Sequence, residues 1–110
     1  MLEHWLQAVL LAHIIAGEAG VCDMAGKLAV AHVWANRGGG QAGWYAAAEP
    51  DSADLYVALH WAEVSDPTHG ALYLFDTRDR DKPAVQRLLV GRERTATFHC
   101  ARGLALEAWR

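Results

Sequence analysis

Residues Glu18–Arg37 read EAGVCDMAGKLAVAHVWANR, and the arrangement of the whole chain turns on that stretch. Asp23 offers a side-chain oxygen to the free N–H groups of a helix that begins at Met24. That helix runs to Asn36-Arg37, with Ala25, Leu28, Ala29 and Val33 along one face, and its alanines admit a close neighbour. Gly38-Gly39-Gly40 then ends it. Upstream, Leu2, Leu6, Val9, Leu10, Ile14 and Gly17 recur at helical spacing and predict a first helix over about 2–17. Gly17 and Gly20 flank its end, where helices tend to stop.

Downstream, Asp51 or Ser52 caps a third helix over about 52–64, with Leu55, Ala58, Leu59 and Ala62 as its buried stripe. The pattern then changes. Residues 70–75, GALYLF, follow a Pro67-Thr-His-Gly70 turn and read as a strand. A short helix over about 83–90 has Pro83 in its first turn and Gly91 just past its end. Residues 95–100 form a second β-like run that pairs with the first, while 104–109 fit neither period clearly. The expected class is α+β, mainly helical, with a small β-hairpin, in a single domain over 1–110.

Composition narrows the function. The 110 residues are 53% hydrophobic and 21% charged, which suits a folded domain with its own core. The net charge is −3, and the densest basic stretch, Arg78 to Arg94, is interrupted by Asp79, Asp81 and Glu93. No basic stripe is left for nucleic acid. The stretch 2–17 lacks a basic start, carries Glu3, His4 and His13, and is too short and polar to span a membrane. It reads as a core helix, so the chain is expected to be made in the cytoplasm without a signal peptide and not to insert into a membrane. Cys22 and Cys100 are too few and too far apart for a disulfide framework. Two buried free thiols are expected, with one long-range disulfide as the alternative.

Glu18 is the residue that invites chemistry. It ends an almost wholly apolar helix, in line with Leu11, Ile14 and Ile15. A carboxyl group on a buried stripe resists ionisation. One that stays protonated near neutral pH is what a general acid needs to protonate a glycosidic oxygen.

The run from Glu18 to Arg37 resembles the signature of the spore cortex-lytic enzyme and cell wall hydrolase family, a branch of lysozyme-like muramidases and lytic transglycosylases. In that family a catalytic Glu-Ala opens the motif, as Glu18-Ala19 does here. A Gly-Lys follows, matched by Gly26-Lys27, then Ala29-Val30-Ala31 and the Asn36-Arg37 helix end. A second block, Gly70-Ala-Leu-Tyr-Leu-Phe75, is similar to the family's Gly-Ala-Leu-Tyr-Phe strand. There are departures. Cys22 stands where the family often has a second Glu, and Thr95–His99 matches its Gly-His-Phe strand only loosely.

The resemblance implies a lysozyme-like domain that cleaves peptidoglycan glycan strands between N-acetylmuramic acid and N-acetylglucosamine, with Glu18 as catalytic acid. A lytic transglycosylase uses one Glu as acid and then base and leaves a 1,6-anhydro product. A hydrolytic muramidase needs a second carboxylate, for which Asp23, Glu63, Asp66 and Asp76 are candidates. The resemblance also implies substrate contacts for Tyr73 and Phe75. Asn36, which closes the second helix, and His69, which precedes the strand, are candidate substrate-binding residues, with Arg37 and Thr68 beside them. No cofactor is needed. Lacking wall-binding modules, the chain suits a phage-type endolysin that reaches the wall through a holin, or an excised catalytic domain. Its acidity predicts weaker lysis of whole cells as salt falls, because cell walls are anionic.

Three other readings compete. The six His and two Cys are possible metal ligands, but no HExxH and no close pair at zinc spacing is present, so no metal is expected. A non-catalytic peptidoglycan-binding or virion structural protein would keep the fold without turnover. A helical interaction domain would use the five Trp as an exposed patch, with Trp44-Tyr45 the most exposed pair. In the enzyme reading the Trp44-Tyr45 loop caps the glycan cleft.

Overall fold

The computed structural model describes residues 2–110; the side chain of Leu2, expected on the first helix's apolar face, lies outside what it describes. Helices α1 (Leu2–Ala19), α2 (Met24–Asn36) and α3 (Ser52–His60) form one lobe. Strands β1 (Tyr73–Asp76), β2 (Arg94–His99) and β3 (Ala105–Trp109), with the short helix α4 (Pro83–Leu89) between β1 and β2, form the other.

The middle helix organises the helical lobe. Every residue of α2 from Gly26 to Trp34 except Leu28 is buried. A helix apolar nearly all round belongs at the centre of a domain, not on its surface. Its expected single face is therefore too narrow, and Ala25 is exposed. Asp23 caps it as expected, its carboxylate accepting from the Gly26 N–H at 3.2 Å. Against α2, α1 packs Leu11, Ala12, Ile14, Ile15 and Ala19. The apolar stripe expected for α1 is thus rotated: Leu6 is 56% exposed, and burial is concentrated in the second half of the helix. Helix α3 ends at His60 and tightens into a single 3₁₀ turn, Trp61–Glu63, short of the expected Val64. Leu55 and Leu59, expected in its stripe, are exposed, whereas Val57 and Ala58 are buried.

A buried ion pair ties the three helices together. Lys27 Nζ lies 2.6 Å from Asp54 Oδ1 and donates to the Ala19 carbonyl at 3.2 Å. One lysine therefore closes the C-terminal end of α1 and holds the first turn of α3. Asp54 also completes a capping box with Asp51.

The sheet differs from the expected hairpin. Its order is β1-β3-β2, so the two anticipated strands never pair with each other; both pair antiparallel with the tail, β3. The tail escaped assignment because Ala105 to Ala108 are all buried. A central strand covered on both faces loses the alternation that marks an ordinary antiparallel strand. Leu74, Leu106, Ala108 and Phe98 form the face packed against the helical core.

Cys22 and Cys100 form a disulfide, which overturns the expectation of free thiols. Antiparallel bridging brings Cys22 and Cys100 together, and Ala101 N donates to the Val21 carbonyl at 2.9 Å. Sequence separation hid this, because the sheet folds the end of β2 back onto the turn between α1 and α2. Gly26 completes the joint: a Cβ there would sit 2.7 Å from the Cys22 Cβ. The Gly-Lys pair therefore has a structural account, with glycine making room for the disulfide and lysine pinning α1.

Candidate active site

Helix α1 continues past Gly17, so Glu18 lies in its last turn and not beyond it. The segment after the glycine break is laid along this end of the helix. Tyr45 packs so closely on Gly17 that a Cβ there would meet its ring at 2.5 Å and its carbonyl at 2.7 Å. The Tyr45 N–H donates to Glu18 Oε1 at 3.1 Å. Upstream, His13 Nδ1 bonds the Ala48 carbonyl at 2.8 Å. Downstream, the Arg37 guanidinium stacks 5.2 Å above Trp44. Tyr45 is exposed, as expected, but Trp44 is half-buried and packs on the core. Trp34 is buried, with its Nε1 donating to the Gly40 carbonyl at 2.7 Å, and Trp61 packs edge-on against it. The five Trp therefore do not form one exposed patch.

Glu18 lines a cavity of about 230 Å³ together with Asp76, Arg78, Arg102 and Leu104. Burial pushes the Glu18 carboxyl above its ordinary range. The Tyr45 N–H opposes that rise, and the charge of Asp79 adds to it. The result is a carboxyl group held toward its neutral form with one face open to a cleft.

Of the four candidate second carboxylates, Asp76 alone lines this cavity. Partial burial favours its neutral form, but hydrogen bonds from the Arg78 side chain and backbone outweigh that and lower its pKa. Arg78 Nη2 and Nε reach the same Asp76 oxygen at 2.7 and 3.1 Å. Asp23 is occupied as a helix cap, and Glu63 pairs with His60 on the surface. Asp66 sits in a knot of its own. It accepts from the Thr68 N–H and hydroxyl, the Gly70 N–H and the Asn36 amide, at 2.6 to 3.0 Å. Burial opposes ionisation there, yet these donors bring the pKa down to about 2.

The remaining predicted residues fall in three places. Asn36 donates to Asp66 and to the Ala71 carbonyl, both at 3.0 Å, and so joins the end of α2 to the turn before β1. His69 is in that turn, exposed, with a left-handed backbone (φ 56°) and its carbonyl accepting from Arg110. Tyr73 and Phe75 stack on each other, ring centroids 6.4 Å apart, with the Arg92 guanidinium 4.4 Å over Tyr73. Strand alternation puts these two aromatics on the face opposite Leu74 and Asp76, away from the helical core. The Glu18 cavity is lined instead by Asp76, a candidate second carboxylate, and by Arg78 and Arg102, which no motif singles out. Arg78 and Arg102 come from 3₁₀ turns after β1 and β2, which carry no periodic signal.

Among the described residues, no three His, Cys, Asp or Glu side chains gather to hold a metal ion, and no helix is long and apolar enough to cross a membrane.

No protein-family model and no curated protein matches the chain. Among solved structures, the chain is similar to the catalytic domain of the Bacillus cereus SleB protein. The likeness covers 93% of this chain and 88% of that one, with a TM-score of 0.69 and 19% sequence identity. At that identity the comparison establishes the architecture: the chain has a lysozyme-like, mainly helical α+β fold.

Proposed function

We propose that this protein cleaves the glycan strands of peptidoglycan between N-acetylmuramic acid and N-acetylglucosamine, with Glu18 as the catalytic acid. The observation that carries the reading is Glu18 itself: a carboxyl raised by burial, at a rigid helix end, open to a cavity. In a lysozyme-like fold similar to a catalytic domain, and in a motif that resembles cell wall hydrolases, such a group suits protonation of a glycosidic oxygen.

The reaction is proposed to run as a lytic transglycosylase. Glu18 protonates the leaving oxygen, and the C1–O bond breaks. The resulting carboxylate then takes the proton of the muramyl 6-hydroxyl as that oxygen attacks C1. One carboxyl group serves both halves, and the product is a 1,6-anhydro sugar. Asp76 in the same cavity favours a second reading, hydrolysis, in which its carboxylate assists at the opposite face of the sugar. Its pairing with Arg78 leaves it a poor proton acceptor, which supports the transglycosylase.

The place of action is proposed to be the cell wall. The Cys22–Cys100 disulfide suits an oxidising space outside the cytoplasm. For a phage-type enzyme, a holin would supply the route there.

The test is a digest of purified sacculi with the wild-type chain and with Glu18→Gln, the soluble products being identified by mass. Products one water lighter than hydrolytic muropeptides, absent with the variant, support the transglycosylase. Reducing-end products without that loss indicate hydrolysis, with Asp76→Asn as the next variant. No products from either overturn cleavage and leave a binding role.

A further inference from the structure

The Glu18 cavity carries two carboxyl groups, Glu18 and Asp76, and two guanidinium groups, Arg78 and Arg102. Arg78 is committed to Asp76. Asp79, the other acid that influences Glu18, pairs with Lys82 at 2.8 Å. Arg102 makes no ion pair or side-chain hydrogen bond among the described residues. Arg102 is therefore the guanidinium of this cavity left without a side-chain partner among the described residues. It is also conformationally unusual, with a left-handed backbone (φ 62°, ψ 29°), a region that favours glycine.

The turn that presents Arg102 is fixed to the end of the helix that presents Glu18. Cys100 is bonded to Cys22, and Ala101 N donates to the Val21 carbonyl at 2.9 Å. Cys100 N donates to the Leu104 carbonyl at 2.7 Å, closing the turn across Arg102. The disulfide thus ties the turn that carries Arg102 to the end of the helix that carries Glu18.

Resting on the peptidoglycan reading, we propose that Arg102 is a specificity-determining residue of this cavity, which takes a free carboxylate borne by the saccharide beside the scissile bond. The ligand class is an anionic glycan, such as a muramyl residue whose lactyl group carries no peptide. A guanidinium is suited to a carboxylate in geometry as well as charge.

The test compares binding of two probes. One is glycan strands stripped of stem peptides, with their lactyl carboxylates free. The other is the same strands after methyl esterification. Affinities are measured by calorimetry on the Glu18→Gln protein, which holds the strand uncleaved. Arg102 is exposed, so the free-acid strand should bind about fivefold more tightly, the upper range for a solvent-exposed ion pair. Adding Arg102→Gly should bring that ratio close to one, and Arg102→Lys should retain part of it. Glycine accepts the left-handed backbone, so this variant should melt no lower than its parent, which separates lost recognition from lost folding. An equal ratio with and without Arg102→Gly overturns the inference, as does a parent that binds the acid strand no better than the ester. The cleavage reading fails separately. An Arg102-dependent ratio without digest products leaves the anion subsite standing, and products with a ratio near one remove the subsite alone.

Discussion

Glu18 and Asp66 are both partly buried carboxyl groups at the edge of the same helical lobe, and their surroundings drive them in opposite directions. Glu18 receives a single backbone N–H and rises. Asp66 receives four donors from three residues and falls to about 2. The supply of donors, not burial alone, separates a carboxyl held toward its neutral form from an anion that holds a turn together. The knot around Asp66 also uses Asn36 and Thr68, two residues expected near substrate, to join α2 to the sheet lobe.

The largest expected effect lies on the Glu18 side. Glu18→Gln should lower the rate of product formation by about 10³-fold, the usual scale for a general acid, while leaving thermal stability unchanged or slightly raised. A variant that kept its rate would break the comparison at its root. Next, Lys27→Met should cost about 3–5 kcal/mol in denaturant unfolding, because Asp54 is left buried without its partner. Lys27 also closes α1 one residue past Glu18. A Lys27→Met/Asp54→Leu double variant should recover most of the stability. Reduction of the disulfide, or Cys22→Ala with Cys100→Ala, should cost about 4 kcal/mol for a loop with a sequence separation of 78. A melt with and without reductant measures it directly.

The smallest effects carry opposite signs and sharpen the contrast. Asp66→Asn should cost about 1–2 kcal/mol at neutral pH, with little effect on activity while the protein stays folded. Because the folded pKa of Asp66 lies below its unfolded value of 3.8, its contribution is complete above about pH 4 and is lost as pH falls toward about 2. Glu18 behaves in reverse. Its folded pKa lies above 4.5, so the folded state is favoured relative to Glu18→Gln at low pH and loses that advantage as pH rises through the raised value. Activity should fall over the same rise, as the acid loses its proton. Difference melts of each variant against wild type across pH 2–8 would show the two slopes, and slopes of the same sign would undo the comparison.

Much of the helical lobe was legible. The cap at Asp23, the Gly38–Gly40 break and the position of Glu18 all follow from local chemistry: an oxygen for orphan N–H groups, a residue free of Cβ, a carboxyl in line with apolar neighbours. The Thr95–Phe98 run and the Pro83 helix were legible on the same grounds.

What tertiary structure decided is of another kind. Which face of α1 is buried depended on where α2 and α3 lie, so periodicity alone misplaced Leu6. The role of Lys27 required α3 to bring Asp54 to it. The tail could declare itself a strand only once β1 and β2 covered its two edges, the core one face, and Arg80 and Arg94 the other at Glu107. Cys22 and Cys100 meet only because the sheet returns β2 to the α1–α2 turn. The same return brings Arg102 to the cavity that Glu18 lines. Residues close in sequence interact through fixed helix and strand spacing and can be read in order. Residues brought together by chain reversal carry no local mark, because loop closure and packing choose their partners.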